Sequence, residues 1–316
     1  MKIVLTDIAS VSAGDIDTSV FEKYGEVVSY DVTPPDKTAE RIADADIVLL
    51  NKTVIGRAEL EAAPNLKYIG LFATGYNNID TAAAKERGVV VSNAGQYSTD
   101  AVAQHTFALM LELFSKTGFY NSFVSSGGWC EAKIFTGFVG GTDELAGKTL
   151  GIVGYGNIGR AVAKIALAFG MKVAVNTRTP RVDPAVSFVT RDELFSVSDV
   201  ISFHCPLTPE TNKMLDAASL GKCRDGVYIV NTSRGGVIDE DALAAALKSG
   251  KVRGAGLDVL TKEPMIKDCP LFGLPNVVIT PHVAWTPLAT RERLMKVVTG
   301  NIEAFFAGKP ENVVNR

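Results

Sequence analysis

Thr149-Leu150-Gly151-Ile152-Val153-Gly154-Tyr155-Gly156-Asn157-Ile158-Gly159 is the stretch that decides the fold of this 316-residue chain. An apolar run leads into a G-x-G-x-x-G, and a helix-like segment, 160–169, follows. The glycines therefore stand between a strand and a helix, the context a dinucleotide site requires. Gly154 allows the tight turn, Gly156 lets the backbone approach a pyrophosphate, and Gly159 lets helix and strand pack closely. The phosphates would meet the free N–H groups and positive end of the helix. Glycine-rich turns are common, and the two flanks lift this one above a structural turn. The motif lies near the middle of the chain, so the sequence before it must build something else.

Working outward, residues 3–5, 27–30, 47–50, 68–71 and 89–91 read as strands, with helical patterns at 19–24, 36–43, 57–63 and 81–87 between them. Strands alternating with helices predict a parallel sheet covered on both faces. This segment has no glycine fingerprint and reads as a small α/β domain rather than a second nucleotide site. Residues 100–114 predict a long amphipathic helix crossing into the second domain. Beyond the fingerprint, 173–175, 200–203, 227–230, 254–257 and 277–280 continue the strand pattern. The last helical pattern, 290–307, sets Arg291, Glu292, Arg293 and Lys296 against an apolar face of Leu294, Val297, Val298, Ile302, Phe305 and Phe306. Such a helix can return to the first domain and close it. The expected fold is α/β: a doubly wound parallel sheet over residues 99–286, and a smaller α/β domain split between 1–98 and 287–316.

Composition narrows the function classes. Hydrophobic residues at 47% and charged residues at 21% fit a soluble globular protein with two cores. A net charge of -3 gives no electrostatic case for nucleic acid. No apolar run reaches membrane-spanning length, and the opening Met1-Lys2-Ile3-Val4-Leu5-Thr6-Asp7 has no signal-peptide pattern. Cys130, Cys205, Cys223 and Cys269 form no C-x-x-C pair, so reduced thiols in a cytoplasmic protein are expected, with neither disulfides nor a metal site.

Three histidines make the search for an acid or base short. His105 lies in the long helix between Ala101 and Leu109 and reads as a packed or capped helix histidine. His204 ends a strand before Cys205-Pro206-Leu207, where cofactor contact and simple loop structure both fit. His282, in Pro281-His282-Val283-Ala284-Trp285, stands on a strand-end loop beside a large aromatic and is best placed for catalysis. Arg234 emerges from another strand end in Asn231-Thr232-Ser233-Arg234-Gly235-Gly236, and its planar fork suits a carboxylate. Glu263, in Thr261-Lys262-Glu263-Pro264, follows a third strand. Singly, Arg234 and Glu263 read as surface residues. Together with His282 they offer a carboxylate anchor, a proton donor, and an acid that keeps the donor protonated.

At this point the chain resembles the D-isomer-specific 2-hydroxyacid dehydrogenases, most of all their glycerate dehydrogenase (hydroxypyruvate reductase) branch. The resemblance covers essentially the whole chain. It runs from Ala73-Thr74-Gly75-Tyr76-Asn77-Asn78-Ile79-Asp80 through Leu145-Ala146-Gly147-Lys148-Thr149-Leu150-Gly151 and the fingerprint. It continues in His204-Cys205-Pro206-Leu207-Thr208, Thr232-Ser233-Arg234-Gly235-Gly236, Gly256-Leu257-Asp258-Val259, Glu263-Pro264 and Pro281-His282, with Trp285 matching the glycerate branch. It implies a Rossmann-type nucleotide domain with a flavodoxin-like substrate domain split between the chain ends. It also implies that Arg234 binds the substrate carboxylate and polarises the carbonyl, with His282 as acid/base and Glu263 its partner.

The same resemblance implies substrate contacts at Ala73, Thr74, Gly75 and Trp285. Asn157 and Ile158 would meet the pyrophosphate, and Cys205, Thr232, Ser233 and Asp258 would lie on the cofactor side. A homodimer would form through the nucleotide domains, using the long helix and the 119–138 excursion. The expected reaction is reduction of a small 2-keto acid, hydroxypyruvate or glyoxylate, by NAD(P)H. The alternatives are a catalytically silent NAD-sensing scaffold, a phosphoglycerate or D-lactate dehydrogenase, and a formate dehydrogenase, which would carry glutamine where Glu263 stands. Cofactor choice departs from the NAD-selective pattern. Where an acidic residue normally meets the ribose hydroxyls stands Thr177, followed by Arg178, so NADP use is expected.

Overall fold

The computed structural model describes residues 1–179 and 182–316. The chain divides into two units, Met1–Ser98 with Trp285–Arg316, and Thr99–Ala284. In the first, the apolar runs become β1 (Lys2–Leu5), β2 (Glu26–Ser29), β3 (Ile47–Leu50), β4 (Tyr68–Leu71) and β5 (Val90–Ser92). They form one parallel sheet in the order β2-β1-β3-β4-β5. β3 and β4 are buried along their whole length, as strands covered on both faces must be, and so read as continuous rather than alternating apolar runs. α1 (Thr38–Ile42), α2 (Arg57–Ala62) and α3 (Thr81–Glu86) supply the covering helices. Ser19–Tyr24 is a 3-10 turn rather than an α-helix. It buries Phe21 and ends at Gly25, where a side chain would meet the Met1 carbonyl oxygen at 2.2 Å.

The second unit opens with α4 (Thr99–Ser115) and α5 (Thr117–Ser125), then alternates β6 (Thr149–Val153), α6 (Asn157–Ala168), β7 (Lys172–Asn176), β8 (Ser187–Phe188), α7 (Arg191–Val197) and β9 (Val200–Phe203). It continues through α8 (Ala217–Lys222), β10 (Val227–Asn231), α9 (Glu240–Ser249), β11 (Val252–Leu257) and β12 (Val277–Ile279). All seven strands are parallel, in the order β12-β11-β10-β9-β6-β7-β8. The chain winds outward from β6 in both directions, and the order reverses between β6 and β9. A ligand crevice opens at the carboxyl ends of the strands at such a switch point. α5 and β8 had no clear sequence signal. α5 follows a left-handed break at Lys116 and buries none of its residues, and β8 is two residues long.

α10 (Leu288–Phe306) belongs to the first unit. It buries Leu294, Met295, Val298 and Ile302 in the cluster that holds Ile3, Leu5 and Tyr68, and Phe305 lies 4.8 Å from Tyr68 between ring centroids. Four such side chains, at about 1.5–3 kcal/mol each, contribute on the order of 6–12 kcal/mol as an upper bound, enough to hold the segment. Among the described residues no helix is long and apolar enough to cross a membrane.

Candidate active site

The fingerprint glycines divide their labour as the turn demands. Gly154 has φ +97, and a side chain there would stand 2.6 Å from the His204 carbonyl oxygen. At Gly159 a Cβ would come within 2.1 Å of the Gly154 carbonyl oxygen. Both are required by the protein's own packing. Gly156 is not: a Cβ there meets nothing within 4 Å. Its missing side chain leaves open space over the start of α6, where Asn157 and Ile158 contribute N–H groups that the helix cannot satisfy internally. The residues thus fit a pyrophosphate. Arg160 braces the turn, donating to the Asn157 side chain and to the Tyr155 carbonyl oxygen at 3.3 Å.

Thr177 follows β7 directly, and Arg178 beyond it is exposed. The nearby Asp183 accepts a 2.7 Å hydrogen bond from the Tyr155 hydroxyl. That contact holds its carboxyl below the usual carboxylate range.

Arg234, Glu263 and His282 leave the carboxyl ends of β10, β11 and β12, which lie side by side in the sheet. The Arg234 loop is tied down by buried Asn231. Its Oδ1 accepts from the Ser233 N–H at 2.9 Å and hydroxyl at 2.8 Å, and its Nδ2 donates to the Arg234 carbonyl at 2.9 Å. Arg234 itself donates from Nη1 to the Ser233 carbonyl at 2.7 Å. Gly235 presses against the next loop so closely that a Cβ would stand 1.9 Å from the Leu260 carbonyl carbon. Leu260 in turn donates its N–H to Glu263 Oε1 at 3.0 Å, and Glu263 Oε2 meets His282 Nδ1 at 2.7 Å. One carboxylate therefore links its own loop to the histidine and leaves Nε2 as the ring nitrogen able to face a reactant.

His282 has φ +57, a conformation that costs a non-glycine residue on the order of 1–3 kcal/mol and persists only where neighbours impose it. Here they do. Its N–H donates to the carbonyl oxygens of Asp258 at 2.8 Å and Thr280 at 2.9 Å. Asp258, also buried, takes the N–H groups of Val283 and Ala284, each at 2.9 Å, and the Thr280 hydroxyl at 2.6 Å. Burial pushes the Asp258 carboxyl up, but the hydrogen bonds from His105, Thr280, Ala284 and Val283 outweigh it and the net shift is downward. The carboxylate stays ionised and folds the loop around itself.

Sequence reasoning gave no role to Asn231 and treated His105 only as a packed helix residue. Asn231 ties down its own loop two and three residues on, whereas the partners of His105, Thr280 and Asp258, lie far along the chain, out of reach of any local pattern. Thr232, named as a cofactor contact, is buried with its hydroxyl 2.9 Å from that of Thr106. Cys205 is buried, which pushes its thiol up to about 11 and keeps it protonated at neutral pH.

In the first unit, the Ala73 and Thr74 carbonyls accept from the Ala94 N–H at 2.8 Å and Asn93 Nδ2 at 2.7 Å. In a trans peptide the N–H points opposite to the carbonyl, so the Thr74 and Gly75 N–H groups face away from those partners. Trp285 packs edge-on to Tyr97, with ring centroids 6.4 Å apart.

His204 pairs through Nε2 with the Ser202 hydroxyl at 2.8 Å, while its Nδ1 is shut off from solvent and has no partner among the described residues. Burial pushes its pKa down to about 3, so the folded protein keeps it neutral while the unfolded chain takes up a proton near pH 6.5. The stabilisation is fully present above pH 6.5 and is lost as pH falls toward 3, by at most about 1.4 kcal/mol per pH unit. Between pH 6.5 and 5 the unfolding free energy of the wild type is therefore expected to fall more steeply than that of His204→Gln. Parallel denaturation curves over that range would show that His204 is not buried as a neutral base.

Against this geometry the comparisons are decisive for the family. The profile of the D-isomer specific 2-hydroxyacid dehydrogenase, NAD binding domain, matches residues 107–284. The chain belongs to that family. It is 44% identical to a hydroxypyruvate reductase of Blautia hydrogenotrophica, with 100% of each chain covered. It is 39% identical to a glycerate dehydrogenase of Methylorubrum extorquens, over 99% of this chain and 98% of that one. Among solved structures it resembles an acyclic imino acid reductase in complex with NADPH and D-Arg, with a TM-score of 0.88 and 35% identity over 99% of this chain and 100% of the other.

Proposed function

We propose that this protein is an NAD(P)-dependent D-2-hydroxyacid dehydrogenase that reduces a small 2-keto acid, hydroxypyruvate or glyoxylate, to the D-2-hydroxy acid. The observation that carries the reading is the 2.7 Å His282–Glu263 pair on a left-handed backbone, one strand along from the Arg234 loop. Gly156, Asn157 and Ile158 would hold the pyrophosphate of the nicotinamide cofactor, which would supply hydride chemistry at the keto carbon. His282 donates a proton from Nε2 to the carbonyl oxygen, and Glu263 offsets the imidazolium charge through Nδ1. Arg234 grips the carboxylate and opposes the charge developing on the oxygen. Ala73, Thr74 and Gly75 would offer backbone N–H groups to a substrate carboxylate, and Trp285 would offer the substrate an apolar ring. Ser233, Thr232, Cys205 and Asp258 frame the cofactor side.

Residues 1–98 and 287–316 act as the substrate domain, and 99–286 as the nucleotide domain. The four free cysteines fit a cytoplasmic setting. A homodimer would cover the 119–138 segment, where Phe135 is 90% and Phe138 86% exposed. The test of activity is a panel of 2-keto acids with NADH and NADPH, followed by cofactor absorbance. Turnover with hydroxypyruvate or glyoxylate supports the reading, and cofactor binding without turnover of any keto acid would favour an NAD-sensing role instead.

Thr177 and exposed Arg178 support NADPH use at least comparable to NADH, because position 177 carries a hydroxyl instead of a carboxylate and a guanidinium follows it directly. Thr177→Asp is expected to shift the kcat/KM ratio toward NADH. A wild-type enzyme strongly selective for NADH would contradict this assignment.

A further inference from the structure

His105 and the loop that carries His282 are joined by a short hydrogen-bond relay. Asp258 is ionised and can only accept, so the Thr280 hydroxyl donates its hydrogen to Asp258 Oδ1, 2.6 Å away. With that hydrogen committed, the Thr280 oxygen can only accept from His105, whose Nε2 lies 2.9 Å away. His105 Nε2 also lies 3.4 Å from Asp258 Oδ1. The same two residues, Thr280 and Asp258, offer the backbone carbonyl oxygens that accept the His282 N–H.

The packing of α4 on β11 explains how His105 reaches this point. A Cβ on Gly254 would lie 3.2 Å from the Leu113 side chain, and one on Gly256 would lie 2.9 Å from that of Leu109. His105 then meets Asp258. Steps of four along the helix, about 6 Å, match steps of two along the strand, about 6.6 Å. The two glycines let the helix settle close enough for the third step to become a polar contact. The next helix residue, Thr106, spends its hydroxyl hydrogen on the Val102 carbonyl at 2.8 Å, so Thr232 donates to it from the Arg234 loop.

We propose that His105 is a positioning residue for His282: through Thr280 and Asp258 it holds the left-handed backbone that aims the imidazole. This rests on the assignment of His282 as the proton donor. His105 touches neither reacting group. Its replacement changes where the donor stands, and misplacing a reacting group by about 1 Å costs on the order of 10²-fold.

The test compares His105→Leu, His105→Gln and Thr280→Val, each alone and with His282→Ala, in steady-state reduction of the best keto acid, with cofactor affinity and Tm measured alongside. His105→Leu and Thr280→Val are expected to lower kcat by about 10- to 100-fold with cofactor Kd within about twofold. His105→Gln, which keeps a donor at similar reach, is expected to recover most of the loss. In the His282→Ala background the same substitutions should change the residual rate by less than about twofold, because nothing is left to aim. A wild-type kcat for both His105→Leu and Thr280→Val would overturn the proposal. So would an equal loss with and without His282, or a His105→Gln enzyme as slow as His105→Leu. A His282→Ala enzyme as fast as wild type would instead remove the proton-donor assignment beneath it, an outcome read directly from the single variant.

Discussion

His282→Ala is expected to lower kcat for keto-acid reduction by about 10²–10⁴, the usual worth of a positioned general acid, while leaving NAD(P)H affinity close to wild type. The separation follows from the architecture. The space for the pyrophosphate lies over Gly156 and the start of α6, whereas His282 leaves the far edge of the sheet after β12 and is held by Glu263, Asp258 and Thr280. Losing the imidazole removes the proton source for the alkoxide and leaves the nucleotide loops intact. An unchanged kcat would remove His282 from the chemistry; a large loss of cofactor affinity would mean that the loop at β12 also shapes the nucleotide site.

Arg234→Lys is expected to lower kcat/KM for the best keto acid by at least about 10²-fold, although the charge is kept. A guanidinium offers five donors in a fixed plane. In this loop one of them donates to the Ser233 carbonyl, which helps set the plane of the fork. An ammonium has three donors on a flexible stem and cannot reproduce a two-point grip. The loss should fall on both KM and kcat, because the same group anchors the substrate and opposes charge on the oxygen. Near-normal kcat/KM in the lysine variant would take Arg234 out of the site.

Much of the fold was legible because its strands are buried on both faces. Ile47–Leu50, Tyr68–Leu71 and residues 227–230 carry unbroken runs without charged or amide side chains, and each is followed by helix or loop chemistry. The fingerprint was legible for a different reason: two of its glycines satisfy packing that any such turn imposes, and at the third a Cβ would meet open space at the start of α6. α5 and β8 escaped because an unburied helix and a two-residue strand leave no periodic trace.

Of the site, the sequence offered residue types at strand ends but not their mutual support. Glu263 and His282 stand 19 residues apart; their types on neighbouring strand-end loops suggested the pairing, and the contact itself needed the fold. His105 looked like packing because its partner Thr280 lies 175 residues further on. Asp258 was placed beside the cofactor, and the structure shows its carboxylate spent on the Val283 and Ala284 N–H groups and the Thr280 hydroxyl. Such a role is invisible without the fold of the loop.

The most direct test of the central claim is the configuration of the product. Hydroxypyruvate is incubated with the purified protein and stoichiometric NADPH or NADH, and the glycerate formed is resolved on a chiral column. The account predicts D-glycerate alone, in an amount equal to the cofactor oxidised. L-glycerate or a racemate would contradict it, as would tight cofactor binding with no reduction of either hydroxypyruvate or glyoxylate.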